Sequence, residues 1–171
     1  WGYVFVPSRL ESLKRQDLVI EAARLLRCPL RILIGGTGGQ YARYAALIER
    51  YGLQERVRLI GNFSESERLA LYAHALGVVF VPRDEDLGYI TLEAMFAAKP
   101  VITCSDSGGP LEFVLPGETG WVCEPAPEAL ALALEQLWAD KARARAMGQA
   151  GRERVQGLGL SWDSVVQVLC A

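Results

Sequence analysis

The sequence predicts an α/β fold: a Rossmann-like three-layer α/β/α sandwich around a mainly parallel sheet of about six strands. Three observations carry this prediction. Apolar runs of strand length alternate with segments of helical period. Some of the strand-like runs are apolar throughout, such as VVFV at 78–81, as expected of strands covered on both faces. The 171 residues suit one domain, with no internal repeat and no linker long enough to divide them.

The elements follow in order. Tyr3–Pro7 (YVFVP) is rich in aromatic and β-branched residues and reads as a strand. Apolar positions at helical spacing place a helix over 17–26, and LRILI at 30–34 returns to strand. A glycine loop at 35–39 leads into a helix over 41–51, which Gly52 stops as a C-cap glycine does. A strand over 57–60 precedes Ser64, and Ser64 with Glu67 forms a capping box for the next helix. That helix carries His74, read as lying mid-helix. The strand at 78–81 is followed by a helix over 90–98, then the strands Val101–Cys104 and Gly120–Cys123. Helices over 128–138 and 141–155 follow, and Ser161 caps a final one.

Composition removes several classes of function. Lys plus Arg number 18 and Asp plus Glu 20, so the net charge of −2 lacks the surplus of a nucleic-acid binder. The apolar runs fall far short of the ~20 residues of a membrane span, and no signal peptide is expected, since no positively charged start followed by an apolar stretch marks one. Cys28, Cys104, Cys123 and Cys170 form no C-x-x-C pair, which leaves buried, reduced thiols of a cytoplasmic protein and no metal site. His74 is the sole histidine, so neither a Ser/His/Asp triad nor an H-x-x-x-H metal pair is expected, and a structural or surface role suits it. The charges of 141–154 are read as the solvated face of an amphipathic helix.

Sheets of this kind bind ligands at the carboxyl ends of their strands, where the strand order reverses. Four loops at such ends are candidates. Ser8, Arg9 and Lys14 follow the first strand and suit an anionic ligand such as a diphosphate, or form a solvated basic turn. The loop 35–39 is neither G-x-G-x-x-G in register nor a P-loop, so a tight turn competes with a phosphate cradle. Glu85 and Glu93 are separated by seven residues, one in a loop and one in a helix. Carboxylates so placed can accept hydrogen bonds from vicinal hydroxyls at two ends of an elongated ligand. The alternative is an acidic first turn that complements the helix dipole. Ser107-Gly108-Gly109-Pro110 adds a fourth turn on the same edge.

Together these segments resemble family 4 of the retaining GT-B glycosyltransferases. The resemblance rests on EDLGYITLEAM at 85–95, Lys99-Pro100-Val101-Ile102, Gly108-Gly109, and Gly117-Glu118-Thr119-Gly120. It rests also on Val57-Arg58-Leu59-Ile60-Gly61, and on Ser8-Arg9-Leu10 with Lys14 five residues after the arginine. It covers the chain from Arg9 to Trp162. The resemblance implies the C-terminal, nucleotide-sugar-binding half of a two-domain enzyme, whose N-terminal half holds the acceptor site. Arg9 and Lys14 would hold the donor diphosphate and Glu85 the donor sugar, these three being the catalytic candidates. Glu93 would bind the ribose. Gly88, Tyr89 and Ile90 would offer backbone N–H groups to sugar and phosphates, with Thr91 beside them, and Gly61 and Phe63 would lie by the nucleobase.

No cofactor and no metal are expected; the donor is an NDP-sugar, with the Glu85-Asp86 pair leaning toward GDP-mannose and UDP-sugars left open. The expected partners are that donor and the N-terminal acceptor half, through which a peripheral membrane contact would arise. Trp1 then marks a cut within a longer protein, and the piece by itself would transfer nothing. Three departures stand out: Arg15 replaces the glycine usual after the lysine, the glycine loop lacks its usual acidic residue, and Phe96 and Ala98 replace smaller residues. Competing assignments are half of a sugar-nucleotide 2-epimerase, a non-catalytic nucleotide-binding scaffold module, and, lacking its glycine fingerprint, a dinucleotide dehydrogenase.

Overall fold

The computed structural model describes residues 2–158. Its six strands are β1 (Tyr3–Pro7), β2 (Arg31–Gly35), β3 (Val57–Gly61), β4 (Gly77–Val79), β5 (Val101–Cys104) and β6 (Gly120–Cys123). They form one sheet in the order β3-β2-β1-β4-β5-β6, and every pairing is parallel. The order reverses between β1 and β4, so the loops that leave these two strands border the switch point.

The helices are α1 (Gln16–Leu25), α2 (Tyr41–Arg50), α3 (Glu65–His74), α4 (Tyr89–Phe96), α5 (Pro110–Phe113), α6 (Pro127–Ala139) and α7 (Lys141–Gly157). Alternation along β1 divides the core. Val4 and Val6 pack with Ile32 and Ile34 of β2 and with residues of α1, α2 and α6, such as Ile20, Tyr44 and Leu134. Phe5 points the other way and packs with Tyr72 of α3 and with Leu92 and Met95 of α4. The helices therefore lie on both faces of the sheet, as the uninterrupted apolar strands require.

Differences from the sequence reading are local. β4 ends at Val79 rather than at residue 81, although Phe80 still donates to the Ile102 carbonyl at 2.9 Å. The carbonyls of Val81 and Pro82 instead accept from the Arg15 guanidinium, so a side chain replaces the ladder there. α4 starts one residue early because Gly88 (φ 75°) forms its N-cap, and stops at Phe96, short of residue 98, where Ala98 turns left-handed at φ 53°. His74 is the last residue of α3, exposed, rather than mid-helix. The capping box is formed: Ser64 Oγ accepts from the Glu67 N–H, and the Glu67 carboxylate from the Ser64 N–H. The helix expected after Ser161 lies outside the described residues, as do Trp162 and Cys170. Cys104 is buried and Cys28 and Cys123 are half-buried, all three free thiols.

α7 is more than a solvated face. Its buried stripe is small: Ala144, Gly148 and Gly151 recur with Met147 and Val155. A Cβ on Gly148 would stand 2.1 Å from the Ala98 carbonyl oxygen, so glycine lets α7 approach the end of α4. Arg154 donates to the Phe113 and Glu112 carbonyls at 3.1 Å each and ties α5 down. Among the described residues no helix is long and apolar enough to cross a membrane.

Candidate functional site

The loops after β1, β4 and β5 meet at the switch point. After β1 a 3-10 turn over Ser12–Lys14 ends at Arg15, which adopts φ 52°, ψ 42° and then opens α1. Lys14 Nζ donates to Glu85 Oε2, an ion pair of two side chains that are both about four-fifths buried. The structure thus brings together two residues separated by 71 positions in the chain. Lys14 Nζ also stands 5.7 Å from the centre of the Phe80 ring.

The seat of Glu85 is built from backbone. Its N–H donates to the Ser107 carbonyl at 3.0 Å, and its carbonyl accepts from the Gly109 N–H at 2.6 Å. A Cβ on Gly108 would lie 2.5 Å from the Glu85 carbonyl oxygen, and one on Gly109 would lie 2.3 Å from that of Asp86. The Ser107–Pro110 turn therefore supports the Glu85 loop by close backbone approach. The loop 35–39 plays the same part toward β1. Cβ atoms on Gly36 and Gly38 would fall 2.2 and 2.4 Å from the carbonyl oxygens of Ser8 and Leu10. Those glycines are packed against the chain's own backbone, which favours the tight-turn reading over a phosphate cradle. Gln16, fully buried, fixes the loop after β1 by donating to Ser8 Oγ at 2.5 Å and to the Arg9 carbonyl at 2.9 Å.

Glu93 sits one turn into α4 and is held from α3. Arg68 Nη1 donates to its Oε1 at 2.9 Å and Tyr72 Oη to its Oε2 at 2.7 Å. Burial, reinforced by the neighbouring carboxylate, pushes the Tyr72 hydroxyl well above its ordinary range, so it remains a proton donor at any physiological pH. A carboxylate fixed at both oxygens keeps its outer lone pairs in a set direction. Glu85 and Glu93 thus occupy two different anchorages on one edge.

The remaining candidates divide. Arg9 lies on the same edge but is 78% exposed and pairs with Glu11 at 3.3 Å, apart from the Lys14–Glu85 pair. Gly88 is buried, and a Cβ there would lie 2.9 Å from Pro110 Cγ, so a glycine is required both by its φ and by space. Tyr89 is exposed and Ile90 half-buried at the start of α4. Thr91 is the least accessible of these residues. It is fully buried, its N–H donates to the Gly88 carbonyl, and its hydroxyl lies within the fold without a hydrogen-bond partner. Phe63 is half-buried: its ring stands edge-to-face with Phe5 at 5.7 Å between ring centres and covers Gly35. Gly61, at φ 68°, faces open space on its Cβ side.

The sequence reading missed Gln16, Arg68 and Tyr72. Arg68 and Tyr72 reach Glu93 from a different helix, and Tyr72 reads in sequence as one more apolar position of α3. Arg15 carried a signal, because the resemblance leads one to expect glycine there, and Arg15 adopts a backbone conformation that glycine favours.

A parallel sheet in this order, with cationic and acidic side chains on the loops of its two central strands, defines a Rossmann-type domain whose site suits a polyhydroxylated, anionic ligand. The particular family follows from comparison. The family described as "Glycosyl transferases group 1" matches residues 2–154, and the chain belongs to it. It is 32% identical over 165 residues to the human alpha-1,3/1,6-mannosyltransferase ALG2, covering 87% of this chain and 39% of that protein. Among solved structures it superposes on a sucrose-phosphate synthase from Thermosynechococcus elongatus with TM-score 0.87 and 30% identity, over 98% of this chain and 43% of that one. It superposes on S. aureus TarM, in complex with Fondaparinux, alpha-GlcNAc-glycerol and UDP, with TM-score 0.90 and 26% identity, over 97% and 34%. The chain spans less than half the length of these relatives.

Proposed function

We propose that this chain is the nucleotide-sugar-binding half of a retaining GT-B glycosyltransferase that moves a hexose from an NDP-sugar to a glycan or lipid acceptor. The observation that carries the reading is the meeting of Lys14 with Glu85 at the β1/β4 switch point, with Glu93 separately anchored on α4. Lys14 would leave its pairing with Glu85 in part to meet the donor diphosphate, with Arg9 swinging in from solvent beside it. Both cations would offset the charge that develops as the diphosphate departs, which does without a metal. Glu85 would accept from donor sugar hydroxyls and Glu93 from the ribose. Gly88, Tyr89 and Ile90 open a helix, and their N–H groups favour an anionic or hydroxylated oxygen. Gly61 leaves room beside the base.

The acceptor site would come from an N-terminal half, consistent with the share of its relatives that the chain spans. Transfer would occur in the cleft between the halves, in the cytoplasm, with any membrane contact made through that other half. Similarity to ALG2 and the Glu85-Asp86 pair support a mannosyl donor carried on GDP; the UDP in the TarM structure keeps a uridine donor in the comparison. A calorimetric titration with UDP, GDP, ADP and NAD tests the reading. Binding of one nucleoside diphosphate, with no binding of NAD and no transfer by this chain alone, is expected. Absence of heat with all three diphosphates, under conditions where the chain is folded, would overturn it.

A further inference from the structure

We infer that Arg15 is a positioning residue that sets Lys14 against Glu85 by clamping the loops after β1, β4 and β5 together. The inference rests on the proposed donor roles of those two side chains. Arg15 is buried at 9% exposure, and its guanidinium uses both faces of its fork. Nε donates to the Val81 carbonyl at 2.7 Å and Nη2 to the Pro82 carbonyl at 2.7 Å, both on the way out of β4. Nη1 and Nη2 grip Asp106 in the loop after β5, at 2.7 Å to Oδ2 and 2.6 Å to Oδ1. The backbone of the gripped loop then carries the seat of Glu85: Asp84 donates to the Asp106 carbonyl and Glu85 to the Ser107 carbonyl, each at 3.0 Å. From the other side the Arg83 N–H donates to the Leu13 carbonyl at 2.8 Å, next to Lys14. One side chain therefore fixes the spacing of three loops, and Lys14 is its immediate neighbour in sequence.

The backbone supplies a second, independent observation. Arg15 is one of three non-glycine residues with positive φ among the described residues, with Asp84 and Ala98. A side chain held in that region is retained where the surroundings over-determine it. Here the four guanidinium hydrogen bonds do so. Glycine at position 15 would relieve the backbone and remove the clamp at once, so the two effects act in opposite directions on stability but in one direction on the site. Lysine would keep the charge and lose the fork.

Arg15→Gly, Arg15→Lys and Asp106→Asn are compared with the wild-type chain in two measurements. The first is backbone amide hydrogen exchange, which needs no ligand. The amides of Asp84, Glu85 and Gly109 are expected to exchange at least tenfold faster in Arg15→Gly and Arg15→Lys, with the Ile32 amide in β2 unchanged. Unchanged protection at Asp84 and Glu85, or a uniform increase that includes Ile32, would overturn the clamp. The second is calorimetric binding of GDP and UDP against GMP and UMP. Loss of the clamp is expected to weaken the diphosphate at least tenfold and the monophosphate less than threefold, since Lys14 meets the distal phosphate and Glu93 is held independently. Asp106→Asn is expected to fall between wild type and Arg15→Gly. Equal losses for both ligands, or wild-type behaviour of Arg15→Lys, would contradict a positioning role. If the wild type binds no diphosphate, the donor assignment fails, while the exchange result still decides the clamp.

Discussion

Gly109→Ala probes the seat of Glu85 with a single methyl group. Gly109 has φ −48°, a conformation alanine adopts freely, so the substitution carries no backbone penalty of its own. Its cost is steric. The new Cβ would stand 2.3 Å from the Asp86 carbonyl oxygen and 2.7 Å from Leu87 Cα, and both are backbone atoms that cannot rotate away. Restoring an ordinary contact requires the Glu85–Leu87 segment to retreat by about 1 Å, which also stretches the 2.6 Å hydrogen bond from the Gly109 N–H to the Glu85 carbonyl. Overpacking of this kind costs about 1–3 kcal/mol, and a weakened buried hydrogen bond adds about 1 kcal/mol. A loss of about 2–4 kcal/mol in a chain of this size lowers the melting temperature by roughly 5–15 °C. The assay is thermal unfolding paired with calorimetric titration of a nucleotide sugar and its bare nucleotide. The nucleotide sugar is expected to lose more affinity than the nucleotide, because the displaced segment carries Glu85. A melting temperature within a degree of wild type, with unchanged binding, would refute the close-approach argument.

Other outcomes follow from the same contacts. Glu85→Gln is expected to weaken nucleotide-sugar binding more than nucleotide binding; equal losses in calorimetry would contradict its sugar contact. Tyr72→Phe removes the 2.7 Å hydrogen bond to Glu93 and is expected to weaken nucleoside monophosphate binding by about 1–2 kcal/mol, measured by titration. The Arg15 guanidinium holds the Asp106 carboxyl below its ordinary range. Its stabilisation is therefore present above the unfolded-state carboxylate pKa near ~3.9, and is lost as pH falls through the lower folded-state value. Unfolding curves of wild type and Asp106→Asn are expected to differ at pH 7 and to converge at the acid end; a constant offset down to the lowest pH would count against the pair.

Much of the fold was legible because its signals are local. The aromatic and β-branched content of Tyr3–Pro7, the all-apolar Val101–Cys104 and the Ser64–Glu67 capping box each need only a few neighbouring residues to interpret. The end of β4 was not legible, because the competitor for its carbonyls is Arg15, 66 positions away. The candidate site was partly legible: spacing and loop position single out Glu85 and Glu93, and its strand end singles out Lys14, whose pairing with Glu85 the fold supplies. The support beneath them was not. Gly108 and Gly109 read as a weak turn until their distance to the Glu85 loop is known, and Tyr72 reads as core until its hydroxyl is seen on Glu93. Phe63 and Thr91 show a different gap between motif and fold. Motif position says nothing of their packing: Thr91 is completely buried, and Phe63 is half-buried with its ring against Phe5.

The central claim is that a nucleotide sugar lies along the carboxyl edge of β1 and β4. The most direct measurement is a titration of the isotopically labelled chain with GDP-mannose and UDP-glucose, followed through its backbone amide NMR signals. With the true donor, the expected result is saturable shifts at Lys14, Glu85, Gly88, Tyr89 and Ile90, with the amides of β3 residues 57–59 still. Shifts confined to other surfaces, or none with either sugar nucleotide, would contradict the claim.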